Sequence, residues 1–264
     1  MEVEARRAFL DRYAIIRHAE GRGSEDPEYY RELPFRDISG RNAEQWRIRA
    51  RSYRCFERVI LMPQARRMGR PLRILDLGAG NGWMSHQLRL RGHYAVALDI
   101  FTDRLDGLGA IHHYETCVPG VAAEFDCLPF RDSAFDLVVF NSSLHYSPDY
   151  IRTLLEALRC LEPRGQLIIV DSPVYPAAEH GERMVAERQA HFEKTYGFRS
   201  DALGSIEYLD EGMLASLARE LGLVWTRYRP WYGWRWALRP VRAKLHGKRP
   251  PSRFVILAGR FRTP

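Results

Sequence analysis

The 264-residue chain has no apolar run approaching the roughly 20 residues that a helix needs to cross a bilayer. A helical membrane span is thereby excluded. Cysteine is scarce: Cys55, Cys117, Cys127 and Cys160 stand at wide, irregular spacings with no C-x-x-C pair, which argues against a zinc ribbon, an iron-sulfur cluster or a redox dithiol. No metal site is expected, because the adjacent His112 and His113 diverge and have no acidic partner at ligand spacing. The first twenty residues mix both charge signs and lack the apolar core and small-residue cleavage site of a secretory leader, so a cytoplasmic protein is expected. Repeats and low-complexity tracts are absent. Lysine is nearly so, with Lys194, Lys244 and Lys248 alone against 37 arginines. Beyond Glu220 no carboxylate side chain remains, while eleven basic ones follow from Arg227 to Arg262.

What is present is an ordinary globular composition, 45% hydrophobic and 28% charged, with a net charge of +7 that is unevenly spread. Residues 1–71 carry 16 basic and 11 acidic side chains, 72–172 carry 8 and 13, and 173–264 carry 16 and 9. Within the acidic middle, short apolar runs alternate with helical patterns, as in a parallel α/β sheet. "RILDLG" (73–78) reads as a first strand, "NGWMSHQLRLRG" as a helix closed by Gly92, and "YAVALDI" (94–100) as a second strand. After a less regular stretch through "VAAEFDCLPF" come a buried strand in "FDLVVFNSSLHY", a helix in "PDYIRTLLEALRCLEP" and a strand in "GQLIIVDSP". "LVWTRYR" and "RFVILAGR" can form an antiparallel pair. A doubly wound, mostly parallel, seven-stranded sheet with an antiparallel last strand is expected over 72–264, preceded by a helical cap over 1–71.

The loop in "ILDLGAGNGW" (74–83) follows the first strand, where glycines let the backbone approach a ligand. Gly78, Gly80 and Gly82 are followed by Trp83 where a dinucleotide fingerprint needs its third glycine. Asp76, two residues before the first glycine, would repel a pyrophosphate but suits a ligand bearing ammonium and sulfonium groups. Asp99, 23 residues on, is placed to accept both hydroxyls of a ribose. Two such carboxylates suit a nucleoside without phosphates.

"LDLGAGNG", "ALDI", "EFDCLPF", "FDLVVFNSSLHY" and "LEPRGQLIIVD" resemble, in order and spacing, the class I S-adenosylmethionine-dependent methyltransferases, in particular the small-molecule enzymes related to quinone biosynthesis. The resemblance covers about residues 70–172. It implies that Asp76 and the loop Gly78, Ala79, Gly80, Asn81 and Gly82 hold the methionine moiety, Asp99 the ribose, Ile100 one adenine face, and Asp126 with Cys127 the adenine amino edge. By the same resemblance, Asn141 and Ser142 lie beneath the reacting methyl. Positioning dominates such a displacement. If the acceptor is a hydroxyl or an acidic carbon, a base is also needed; His145 is the best-placed imidazole, with Tyr146 as an orienting neighbour.

Acceptor choice is expected from segments outside the sheet. Asn42 and Gln45 form a capping-box-like start for a helix whose apolar face runs through Trp46, Ala50, Tyr53, Phe56 or Glu57, and Ile60, with Tyr29, Tyr30 and Arg47 near the site. The insertion 173–209 is a candidate lid, with His180, His191 and Tyr196 as possible contacts. In 230–252, Trp231, Trp234, Leu238, Val241 and Leu245 recur at helical spacing beside Arg235, Arg239, Arg242 and Lys244, with a kink at Pro240. Packing onto the sheet and contact with an anionic lipid surface are both open, and the latter would suit a lipid-linked acceptor. The alternatives are an RNA methyltransferase and a non-catalytic cofactor-binding interaction protein. "NSSLHY" stands where an N-P-P-Y-type motif for adenine amino groups would be, and no Pro-Cys pair for pyrimidine attack is found. Oligomeric state has no sequence signal.

Overall fold

The computed structural model describes residues 2–199 and 204–261; residues 200–203 of the expected lid and the last three of the expected 72–264 unit, Arg262 included, lie outside them. The chain opens with α1 (Glu2–Ala19), α2 (Pro27–Glu32) and α3 (Ala43–Phe56), and α3 continues through a π turn (Glu57–Leu61) into α4 (Met62–Met68). Gly69, at φ +63°, ends this helical run in the left-handed conformation. There follow β1 (Arg73–Leu77), α5 (Trp83–Leu90), β2 (Tyr94–Asp99), a 3-10 turn (Leu108–His113), β3 (Gly120–Ala122) and β4 (Phe135–Asn141). A second 3-10 turn (Leu144–Tyr146) leads to α6 (Tyr150–Cys160) and β5 (Leu161–Val170). The remainder comprises β6 (Val174–Tyr175), α7 (Ala178–Tyr196), β7 (Leu209–Asp210), α8 (Glu211–Glu220), β8 (Leu223–Tyr228), α9 (Trp234–Ala237), α10 (Arg239–Leu245) and β9 (Ile256–Phe261).

Seven strands form one sheet in the order β3-β2-β1-β4-β5-β9-β8. The first five are parallel, and β9 runs antiparallel to both β5 and β8, as the sequence predicts. The sequence had not indicated the separate parallel pair of β6 and β7. β4 is buried along its full length because helices cover both faces of the sheet. One face packs on α3, α4 and α5 through Trp46, Tyr53, Phe56 and Trp83, the other on α6 and α8 through Leu154, Leu158 and Leu214. At the amino edge, Arg70 and Arg73 clamp the buried Asp136 (2.8 and 3.0 Å) and hold its carboxyl down at about 2 despite burial. This pairing is structural and lies opposite the edge that carries the glycine loop.

Two local expectations change. Asn42 occupies the N-cap of α3 without capping it; its amide donates to the Glu20 carbonyl (3.3 Å), and Gln45 accepts from Arg22, so both side chains tie α3 to the end of α1. The stretch 230–252 does not bury its apolar stripe: Trp231, Trp234, Leu238, Val241 and Leu245 are all exposed.

Candidate cofactor and acceptor site

A cavity of about 490 Å³ lies at the carboxyl edge of the sheet. Its floor begins where β1 ends. Gly78 and Gly80 take φ of +72° and +55°, and a Cβ on Gly78 would stand 2.3 Å from Ser143 Cβ, so only glycine lets the loop pass the chain leaving β4. Amides of Gly78 and Ala79 donate to the Leu98 carbonyl (2.8 and 3.0 Å), fixing the loop to β2. The Gly80 amide donates to Asp99 Oδ2 (2.7 Å), and the Phe101 amide to Asp99 Oδ1 (2.8 Å). Burial raises the Asp99 carboxyl above its usual range, against the pull of these amides.

Of the residues assigned to the cofactor from sequence, Gly78, Ala79, Gly80, Asn81, Asp99, Ile100, Asp126, Asn141 and Ser142 line this one cavity. Asn141 is buried, and its Oδ1 has no hydrogen-bond partner among the described residues. Ser142 adopts φ +57° and donates its amide to the Val170 carbonyl (2.7 Å). Asp126 is also held by Arg152 at 3.1 Å.

Three assignments change. Asp76 lies fully buried behind the loop, where Ser85 donates to one oxygen (2.9 Å) and the other has no partner among the described residues; burial raises its carboxyl to about 7. Gly82 starts α5 at φ +76° against Ile111 and is not part of the lining. The Cys127 side chain is exposed and outside the cavity, since the chain turns outward directly after Asp126.

The pair expected to carry catalysis is split. Tyr146 lines the cavity, whereas His145 is buried beside it, with Nδ1 3.4 Å from Ser172 Oγ. Burial, reinforced by Arg188 and Arg49, lowers the His145 imidazole to about 3, so it is neutral and weakly basic. Its position in the second 3-10 turn directs it into protein rather than toward the cavity.

The wall facing the floor comes from the cap and departs most from expectation. Phe9, Tyr13 and Arg17, spaced by four along α1, line the cavity with Arg22, Trp46 and Arg49. That spacing was a readable signal of one helix face. Tyr13 packs edge-on to Tyr146 at 5.9 Å, and Arg17 pairs bidentately with Asp106. Tyr29 and Tyr30, expected at the site, are core residues, and Arg47 is exposed and pairs with Glu44 (3.2 Å). A smaller space of about 220 Å³ adjoins, sharing Phe9, Tyr13, Arg17, Arg22, Arg49 and Tyr146 and adding Arg188 and Phe192 of α7. From the 173–209 insertion these two reach the site, and His180, His191 and Tyr196 do not.

A doubly wound sheet of this order, with a glycine loop after β1 and an acid ending β2 over the same cavity, is the Rossmann-like fold found in class I S-adenosylmethionine-dependent methyltransferases. Residues 75–169 match the family model described as a methyltransferase domain. The chain is 31% identical over 129 residues to a malonyl-[acyl-carrier protein] O-methyltransferase of Erwinia billingiae, covering 49% of each chain. It is 30% identical over 157 residues to a demethylmenaquinone methyltransferase of Clavibacter sepedonicus, covering 59% of this chain and 63% of that one. The chain spans about half the length of the first of these. Its fold resembles that of 1,6-didemethyltoxoflavin-N1-methyltransferase of Burkholderia thailandensis, solved with 1,6-didemethyltoxoflavin and S-adenosylhomocysteine (TM-score 0.52, 18% identity, 99% of this chain and 91% of that one).

Proposed function

We propose that the chain transfers a methyl group from S-adenosylmethionine to a small-molecule or carrier- or lipid-linked acceptor, and that the acceptor enters against the α1 wall. The observation that carries this reading is the convergence of the Gly78–Asn81 loop, Asp99 and Asn141 on one cavity whose opposite wall is aromatic and cationic. The residues fit the cofactor on two independent grounds. The loop is open on its Gly80 side, where a Cβ would meet nothing nearer than the Asp106 carbonyl at 3.9 Å, which leaves room for a ligand along its backbone, and the buried Asn141 oxygen has no partner among the described residues. Asp99 would accept the ribose hydroxyls, Ile100 would cover one adenine face, and Asp126 would take the amino edge. Asp76 would act on the ammonium group from behind the loop as a buried charge rather than by contact.

The bound cofactor supplies a methyl already activated on sulfur. The chain's own part is to bind, orient and exclude water. Tyr146 would orient the acceptor, a reading supported by its lining both spaces. Burial raises the Tyr13 hydroxyl well above the usual phenol range and keeps it a donor. Among the described residues Arg49 lines both spaces without an ion pair, stacked on Trp46 at 5.3 Å, and Arg22, paired with Glu20 at 3.0 Å, keeps a buried Nη1 without a partner. A guanidinium with no counter-charge at hand and a second with one unused buried donor favour an acceptor with an anionic or electron-rich group. The malonyl-[acyl-carrier protein] named for one relative is compatible with such an acceptor.

The test is transfer of labelled methyl from S-adenosylmethionine to fractionated small molecules, lipids and RNA by the full chain and by Asp99→Ala. Label in small molecules or lipids that requires Asp99 is the expected result. Label in RNA alone, or none in any fraction, contradicts the proposal.

A further inference from the structure

We infer that the segment 230–252 is a membrane-docking element for anionic lipid, set at the same edge of the sheet as the cavity. Five of its large apolar side chains face solvent, from Leu238 at 51% exposure to Leu245 at 79%. Trp231 precedes α9, Trp234 opens it, Leu238 joins it to α10, and Val241 and Leu245 stand four apart on α10; Trp231 and Trp234 are in edge-to-face contact at 5.1 Å. Exposed apolar residues are normal singly, but five large ones between Trp231 and Leu245 have an energetic cost unless something covers them. The charge around it selects the occupant. Arg235, Arg242, Lys244 and Lys248 are exposed, none forms an ion pair among the described residues, and no carboxylate side chain follows Glu220. Tryptophan and leucine flanked by unpaired cations match the boundary between acyl chains and anionic headgroups, and an acidic or apolar protein partner would use only one of these features.

Topology sets the location. β9 is antiparallel to β5, so Ile256 at its start lies near the carboxyl end of β5, and Tyr228 of β8 pairs with Ile256. The connection between β8 and β9 therefore leaves from the cavity edge. It is anchored there: the Tyr232 hydroxyl lies 2.7 Å from Ser52 Oγ, Ser52 donates to the buried Asp171 just after β5, and Arg51 donates to the Tyr232 carbonyl. Ser52 is one helical turn beyond Arg49 of the cavity wall. The element thus has a fixed root and an exposed apolar outer face, which would bring the cavity edge against a membrane and give a lipid-linked acceptor a short path.

Flotation of the full chain with vesicles of phosphatidylcholine alone and with roughly 30% phosphatidylserine tests this. Binding at least ~10-fold stronger to the anionic vesicles is expected, weakening with salt. The paired change Trp234→Ser with Leu245→Ser should reduce it by ~10-fold or more, and Arg235→Gln with Arg242→Gln and Lys244→Gln should remove the preference for phosphatidylserine. All variants should retain S-adenosylhomocysteine affinity, which shows them folded and separates this inference from the catalytic reading. Equal flotation by wild type and the Trp234/Leu245 variant, no flotation at all, or stripe-dependent self-association or RNA binding without flotation would overturn it.

Discussion

The floor of the cavity is drawn from residues 78–143 and the facing wall largely from residues 9–49, and they differ in charge as well as in origin: Asp99 and Asp126 below, Arg17, Arg22 and Arg49 above. The floor is mostly backbone. Its glycines, the amides fixed to Leu98 and the carboxylate of Asp99 are set by strands adjacent in the sheet. The wall is made of side chains carried on helices that reach the site through tertiary packing. A cofactor common to many enzymes can be held by the first kind of construction, while an acceptor particular to this chain needs the second.

If that division is right, floor changes should remove cofactor binding and wall changes should spare it. The largest effect is expected from Asp99→Ala, which removes the ribose acceptor and frees the Gly80 and Phe101 amides; S-adenosylhomocysteine affinity should fall by ~100-fold or more in calorimetry, with an unchanged far-ultraviolet circular dichroism spectrum. Next is Gly78→Ala, whose left-handed φ of +72° and 2.3 Å clash with Ser143 should cost about 2–4 kcal/mol in urea unfolding. On the wall, Arg49→Met and Tyr146→Phe should each lower methyl transfer by ~10- to 100-fold while holding cofactor affinity within ~3-fold. An equal loss of both would erase the distinction between floor and wall.

Smaller effects follow from the buried ionisable groups. Asp76 is raised to about 7 by burial, so the folded protein holds its proton where the unfolded chain has lost it; its contribution to stability therefore falls as pH rises from about 4 to 7. Attraction for a cofactor ammonium needs the ionised form, so affinity should rise through pH 7 and drop by up to ~10-fold per unit below it. Asp76→Asn should flatten that profile. His145 has the opposite sign. Its folded pKa of about 3 lies below the usual 6.5, so its stabilising contribution is present above about 6.5 and is lost as pH falls toward 3. His145→Gln should soften acid unfolding in that window, with turnover within ~2-fold of wild type.

The same division governs how much could be read from sequence. β1, β2, β4 and β5 were legible because each is a short apolar run bounded by glycine or acid, and a parallel sheet brings their carboxyl ends together with no further information. Nine of the cofactor residues assigned there do line one cavity. Cys127 and His145 stand outside the lining while Asp126 and Tyr146 are part of it, because the fate of adjacent side chains depends on a local turn that spacing does not reveal. Phe9, Tyr13 and Arg17 have an evident four-residue spacing, but which surface a helix covers is a long-range outcome. The segment 230–252 shows the limit most clearly, since amphipathic spacing fits packing on a sheet and docking on a membrane equally, and only the three-dimensional placement reveals that its large apolar side chains are exposed.

The most direct measurement is calorimetric titration of the full chain with S-adenosylhomocysteine, beside NADH and the Asp99→Ala variant. One site that binds S-adenosylhomocysteine, ignores NADH and is lost in the variant is the result expected of this floor. Binding of NADH instead, or S-adenosylhomocysteine affinity indifferent to Asp99, would contradict the assignment of the glycine loop and everything placed above it.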